Sequence, residues 1–252
     1  MKILCVADTE TRELWDHWDT AGRSLTEGVQ LILSAGDIRP EYLEFLVTML
    51  SVPCLYIRGN HDGRYDTEPP EGCICIEDEA VYITEDSRTG FITVEEDNAV
   101  SRLRRLFMPG KCFARVAGLG GSMRYREGPD MYTEDEMAKR VRRLRRLLRR
   151  MPRSGTSASD GKRGVDGTGG DETSADAPVR ILLTHAPSFG CGDLQDLPHR
   201  GFACFNDLIE QWHPDYHLYG HVHMEYGHFE RGMVHPAGTM AINISGMYIL
   251  DI

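Results

Sequence analysis

Leu55-Tyr56-Ile57-Arg58-Gly59-Asn60-His61-Asp62 is the stretch on which the reading of the fold turns. A short apolar run ends at a glycine, and an amide, an imidazole and a carboxylate follow at once. In an α/β chain the loop after the carboxyl end of a strand is where sites are built. Gly59 lets the backbone turn sharply there. Asn60 offers a neutral oxygen, and His61 an imidazole that can ligate a metal or give a proton. Asp62 is a carboxylate of the kind that orients working histidines. Taken alone, the same residues also make an ordinary hydrogen-bonded turn. The rest of the chain decides between the two.

Working outward, the pattern repeats. The run from Lys2 to Ala7 is apolar from Ile3 onward, reads as a strand buried on both faces, and ends at Asp8-Thr9-Glu10. A second strand, 29–33, ends in Ser34-Ala35-Gly36-Asp37. Pro40 then suits the first turn of a helix, and Leu43, Leu46, Val47 and Leu50 follow at helical spacing. A strand over 54–57 delivers the opening loop. Further on, 179–184 reads as another buried strand, ending in His185-Ala186-Pro187. A short helix over 202–212 precedes a strand, 216–219, that ends in Gly220-His221-Val222-His223. Five strands thus end in groups of metal-ligand type.

Between these pieces the signals are more varied. Residues 73–83 alternate loosely, as a strand or hairpin, and 84–111 carry no clear pattern. A strand over 113–119 runs into Gly118-Leu119-Gly120-Gly121-Ser122. That cluster reads as a tight turn or as a close approach of backbone to something. An amphipathic helix spans 133–151, opened by a Thr133/Glu136 capping box, with Met137, Val141, Leu144, Leu147, Leu148 and Met151 on one stripe. Its arginines, from Arg140 to Arg150, read as a solvated outer face or as an anion patch. No aromatic residue interleaves with them to support stacking on bases. Residues 152–177 are Ser, Gly, Asp and Thr with almost nothing apolar, which predicts a disordered surface insertion. Short strands over 226–230, 240–244 and 247–250, with turns at Gly232, Gly238 and Gly246, close the chain.

Bulk properties narrow the classes. A chain of 252 residues can bury one sizeable core. A net charge of -11 argues against a polyanion partner, so nucleic acid is not expected. Seven cysteines, an odd number with no Cys-x-x-Cys pair, suit a reducing compartment. Only five apolar residues precede Asp8, so no signal peptide is read. No run approaches the ~20 apolar residues of a membrane span. The expectation is a cytoplasmic protein with no membrane partner.

The strand ends collect Asp8, Glu10, Asp37, Asn60, His61, His185, His221 and His223. So many polar groups are not all core residues, because unpaired polar burial is costly. A mixed nitrogen and oxygen set without thiolate suits Mn²⁺, Fe or Zn²⁺. One carboxylate shared by two ions would make the two-metal clamp used on phosphoryl groups.

In this arrangement the sequence resembles the calcineurin-like metallophosphoesterases, and within them the small single-domain branch. The matching pieces are Asp8, Gly36-Asp37, Gly59-Asn60-His61-Asp62, Thr184-His185 and Gly220-His221-Val222-His223, in the family's order. The resemblance implies an α/β fold of two packed β-sheets flanked by helices, as one domain over 1–252. It implies two divalent ions, bridged by Asp37. Asp8 and His223 would complete one site, and Asn60, His185 and His221 the other. His61 would face the phosphate and protonate the leaving oxygen, with Asp62 holding it. The implied reaction is hydrolysis of a phosphomonoester or phosphodiester by a metal-bridging hydroxide, on a small substrate.

One departure stands out. The family pattern has Asp-x-His at the first strand, and this chain has Asp8-Thr9-Glu10. Glu10 lies two residues after Asp8, on the same side of an extended chain. As a ligand it would make the first site richer in oxygen, favouring Mn²⁺ or Fe over Zn²⁺. Alternatively it points away and leaves a weak site. A third reading is a degenerate site on a non-catalytic protein-interaction scaffold, as in the retromer subunit of this fold.

Overall fold

The computed structural model describes residues 1–85, 90–96, 111–150, 178–224 and 230–252. Strand β1 (Lys2–Ala7) is apolar at every position from Ile3 onward, and the two faces go to different layers. Ile3, Cys5 and Ala7 enter a core shared with Leu31, Leu33 and Leu55 from neighbouring strands and with Val116, Ile181, Leu183 and Leu218 from a second sheet. Leu4 and Val6 turn the other way, onto Leu14, Tyr42, Leu43 and Leu46. A strand covered on both faces has no polar face to show, which is why its sequence does not alternate.

The first sheet runs in the order β14-β1-β2-β3-β4, with β2 (Val29–Ser34), β3 (Cys54–Tyr56) and β4 (Ile74–Cys75) parallel to β1 and β14 (Gly246–Asp251) antiparallel. Two short helices, α1 (Arg12–Trp15) and α2 (Arg23–Leu25), and the longer α3 (Pro40–Leu50) accompany it. Pro40 occupies the start of α3, as its fixed φ allows.

The second sheet has the order β12-β13-β11-β10-β7-β5-β6. Its strands are β5 (Ala80–Glu85), β6 (Ile92–Glu96), β7 (Lys111–Leu119), β10 (Val179–Thr184), β11 (Tyr216–Tyr219), β12 (Gly232–Val234) and β13 (Met240–Asn243). A small ladder, β8 (Ser122–Met123) with β9 (Met131–Tyr132), lies beside them. Helices α4 (Glu134–Arg150) and α5 (Ala203–Trp212) cover the outer face. They bring Met137, Val141, Leu144, Phe205, Leu208 and Ile209 onto Leu119 and Leu182. The result is helix, sheet, sheet, helix: two packed β-sheets flanked by helices, as expected.

Several local expectations change. Residues 73–83 are not a hairpin. β4 pairs with β3 in the first sheet and β5 with β7 in the second, so the chain crosses between sheets at 76–79. The Gly cluster at 118–121 serves that crossing. A Cβ on Gly120 would lie 2.3 Å from the Arg58 carbonyl oxygen, and Gly121 N–H donates to that oxygen at 2.8 Å. The close approach is therefore of backbone to backbone. At the carboxyl end, Gly232 and Gly246 begin strands rather than marking turns.

The capping box forms. Thr133 N–H donates to Glu136 Oε2 at 2.8 Å, and Glu136 N–H donates back to Thr133 Oγ1 at 3.3 Å. Of the helix's arginines, Arg142, Arg143, Arg146 and Arg149 are exposed, but Arg140 is not part of a solvated face. It donates to Asp78 at 2.8 Å and to the Gly120 carbonyl at 2.8 Å, and pairs with Glu77. The insertion expected over 152–177, Met151 and most of the strand expected over 226–230 lie outside the described residues.

Candidate metal centre

The carboxyl ends of β1, β2 and β3 meet those of β10 and β11 across the gap between the sheets. Asp8 accepts His221 N–H with both carboxylate oxygens, at 2.9 and 3.0 Å. His185 reaches across to the Ala35 carbonyl oxygen through Nδ1, at 2.7 Å. Three of the residues concerned have left-handed backbone: Asp8 (φ 62), Asp37 (φ 56) and His221 (φ 67). Such positions cost about 1–3 kcal/mol each and gather where a site needs them.

Glycines set how closely the loops approach. A Cβ on Gly36 would lie 2.2 Å from Gly59 N, and one on Gly59 would lie 2.0 Å from Asp37 Oδ1. The two strand ends therefore touch through backbone. His61 N–H donates to Asp37 Oδ1 at 2.8 Å.

At the centre, ligand atoms of Asp37, His185 and His221 lie within 4.8 Å of one another. His185 is fully buried and His221 nearly so. Each ring has one nitrogen committed to a backbone carbonyl, His185 Nδ1 to Ala35 and His221 Nε2 to Pro198 at 2.7 Å. That leaves His185 Nε2 beside Asp37 Oδ2 at 3.4 Å and Asn60 Oδ1 at 3.1 Å. Imidazoles oriented from behind by a carbonyl are the arrangement of metal-ligating histidines. The Asn60 side chain is buried with its Nδ2 unpartnered among the described residues. Its Oδ1, beside His185, is the atom that could coordinate an ion.

Electrostatics agree with a cation site. Burial, the largest single influence, pushes His185 down, but Asp37, Asp8 and the Ala35 carbonyl together outweigh it and hold the imidazole up at about 9. Burial likewise pushes Asp37 up, and His185, by charge and hydrogen bond, together with His61 outweighs it, holding the carboxyl at about 2. Burial raises Asp8 despite the same imidazole. His221 is pushed down to about 3 by burial and by His185. Two buried carboxylates require positive charge nearby. The imidazolium provides it here, and a divalent ion on the same atoms would displace the ring proton.

This donor set fits a divalent ion held by Asp37, Asn60, His185 and His221. The second expected group does not assemble in the same way. Asp8 and Asp37 are near, at 4.0 and 3.4 Å from His185, and His223 lies close enough to act on the Asp8 charge. Glu10 is drawn elsewhere. Both its oxygens engage Arg39, Oε1 with Nε at 2.6 Å and Oε2 with the terminal nitrogen. The expectation that Glu10 joins Asp8 as a ligand meets this ion pair instead: in this structure the Arg39 guanidinium, not the metal position, takes both carboxylate oxygens.

Asp62 also has a different task from the one expected. Its Oδ2 accepts the backbone N–H groups of Asp37 and Gly59, and the His61 ring stands exposed. Burial and the Asp37 charge raise its pKa to about 6. Sequence reasoning missed Arg39, although it stands two residues after Asp37 just as Glu10 stands two after Asp8. It also missed His199, which is bonded to Asp196 at 2.7 Å with its ring 5.3 Å from that of His221.

The family model for calcineurin-like phosphoesterases matches residues 1–225, the whole span that carries these groups. The chain belongs to the calcineurin-like phosphoesterases. The chemistry of that family is metal-dependent phosphoester hydrolysis. No curated protein matches the chain. A solved structure with 13% identity aligns at a TM-score of 0.55 over 99% of this chain and 94% of its own, a likeness of fold. The protein TT1561 of Thermus thermophilus aligns at 0.49 with 14% identity, over 97% of this chain and 89% of its own. Among the described residues no helix is long and apolar enough to cross a membrane.

Proposed function

We propose that this calcineurin-like phosphoesterase hydrolyses a small phosphomonoester or phosphodiester with two divalent ions. The observation that carries the reading is the pair of imidazoles, His185 and His221, each fixed from behind by a carbonyl and gathered on Asp37. Asn60 would join them on one ion. Asp8, Asp37 and His223 would hold the other. Bound there, divalent ions supply Lewis acidity toward phosphoryl oxygens and lower the pKa of water.

The chain's own residues supply the rest. His61 is exposed beside the ligand Asn60, and its backbone is tied to Asp37. Its role would be to meet the phosphate and to give a proton to the leaving oxygen. Asp62 acts at one remove, by fixing the loops that carry Asp37 and Asn60. The net charge of -11 speaks against nucleic acid as substrate, and seven free thiols suit a cytoplasmic setting.

The Glu10–Arg39 pair favours a second reading, a scaffold with a degenerate site. Against it stand the intact imidazole cluster and an exposed His61. Metal analysis of the purified protein, with turnover of a chromogenic aryl monoester and diester, separates the two. Bound metal and metal-dependent turnover, reduced by His61→Ala without loss of metal, support the hydrolase. No bound metal and no turnover overturn the hydrolase reading in favour of the scaffold.

A further inference from the structure

Glu10 and Arg39 form a two-point ion pair that joins the loop after β1 to the loop after β2. Glu10 leaves β1 two residues after Asp8, and Arg39 leaves β2 two residues after Asp37. The guanidinium presents Nε and a terminal nitrogen to the two carboxylate oxygens, the fork geometry in which arginine binds carboxylate best. The pair is also backed. The guanidinium carbon lies 5.8 Å from the Trp15 ring, which stacks on Tyr42 at 5.4 Å and packs on Phe45 at 5.2 Å. Most surface pairs are loose and weak, whereas this one is held by a fork and an aromatic platform. The Glu10 side chain keeps 22% of its exposure and that of Arg39 64%.

A carboxylate whose two oxygens are both engaged by a guanidinium is a poor metal ligand. We infer that Arg39 is a specificity-determining residue of the metal centre: by holding Glu10 it leaves the first position to Asp8, Asp37 and His223, so that the two ions bind with unequal affinity. The inference rests on the metallohydrolase reading and deepens it. The tight ion sits with Asn60, His185 and His221. The weak one sits beside Asp8. Releasing Glu10 adds an anionic ligand to the weak position and evens out the pair.

Calorimetric titration of the metal-stripped full chain with MnCl₂ tests this. The wild type should show two affinities separated on the order of a hundred-fold, the scale on which partners of ligand groups tune metal binding. Glu10→Gln should leave both unchanged. Arg39→Gln should tighten the weaker site by about tenfold or more, and Arg39→Gln with Glu10→Gln should return it to the wild-type value. The double variant separates ligation by Glu10 from simple removal of a positive charge. Tightening that persists in the double variant, a weaker site lost in Glu10→Gln, or two wild-type sites of equal affinity each overturn the inference alone. A wild type that takes up no Mn²⁺ overturns the metallohydrolase reading as well.

Discussion

Asp62 Oδ2 accepts the backbone N–H of Asp37 at 2.8 Å, and the same oxygen accepts that of Gly59 at 2.7 Å. One buried carboxylate thus ties the loop after β2 to the loop after β3. Asp62→Ala leaves two buried N–H groups unpaired, at a cost of about 2–4 kcal/mol. Asp62→Asn keeps an acceptor oxygen and should cost about 1 kcal/mol or less. Urea unfolding of both variants checks this. Equal losses would show that charge, not the acceptor, is what the loops need.

Arg140 and its helical neighbours should behave oppositely. Arg140 is 13% exposed and bonds Asp78, Glu77 and the Gly120 carbonyl. Glu77 in turn accepts the N–H groups of Arg58, at 3.1 Å, and Gly120, at 3.2 Å. Arg140→Gln leaves the half-buried Glu77 without its cation and should cost about 2–3 kcal/mol. Replacing Arg142, Arg146 and Arg149 together with Gln should change stability by about 0.5 kcal/mol or less per site. Thermal unfolding ranks the two. A triple variant as damaged as Arg140→Gln would contradict this assignment.

His217 should make the fold acid-sensitive. The ring is fully buried between β11 and α5, bonded to Thr184 Oγ1 at 2.8 Å, with His235 the other titratable group that bears on it. Burial, helped by His235, lowers its pKa from 6.5 to about 3. The neutral ring belongs to the folded state, so its contribution is complete above pH 6.5 and is lost as the pH falls toward 3. By pH 5 the loss is about 2 kcal/mol. Unfolding free energies at pH 7 and pH 5 should differ by that much more for the wild type than for His217→Asn. Parallel losses would acquit the ring.

Two glycine positions separate clash from strain. A methyl on Gly59 meets Asp37 Oδ1 at 2.0 Å, whereas one on Gly190, at φ 75, meets nothing within 4 Å. Gly190→Ala should cost about 1–2 kcal/mol and leave metal binding alone. Gly59→Ala should cost about 3 kcal/mol and remove the stabilisation, about 2.7 kcal/mol, that Mn²⁺ at a hundred times its Kd gives the wild type. Melting curves with and without Mn²⁺ read both. A Gly59→Ala protein still stabilised by the metal would show that the loops have room to spare.

The strand-end groups were legible because only apolar runs and the residues closing them had to be recognised. Asp8, Asp37, Asn60, His185 and His221 all fall at such ends. Three things were not legible, each for a reason of geometry. The engagement of Glu10 depends on Arg39, brought in from the loop after β2, which apolar patterning does not encode. The task of Asp62 depends on backbone groups brought in from another loop. The crossing at 76–79 depends on Gly118, where a Cβ would lie 2.4 Å from the Ile76 carbonyl oxygen. In each case the deciding contact joins segments distant in sequence.

That distance bears on the order in which the site can arise during synthesis. Asp8 and His221 are 213 residues apart, and His185 and the Ala35 carbonyl 150. When the first three strands leave the ribosome they carry Asp8, Asp37 and Asn60 but neither His185 nor His221. At about 5–20 residues per second the imidazoles follow many seconds later. Until then the chain holds only part of this donor set. The four donors stand together only in a chain whose two sheets have already closed.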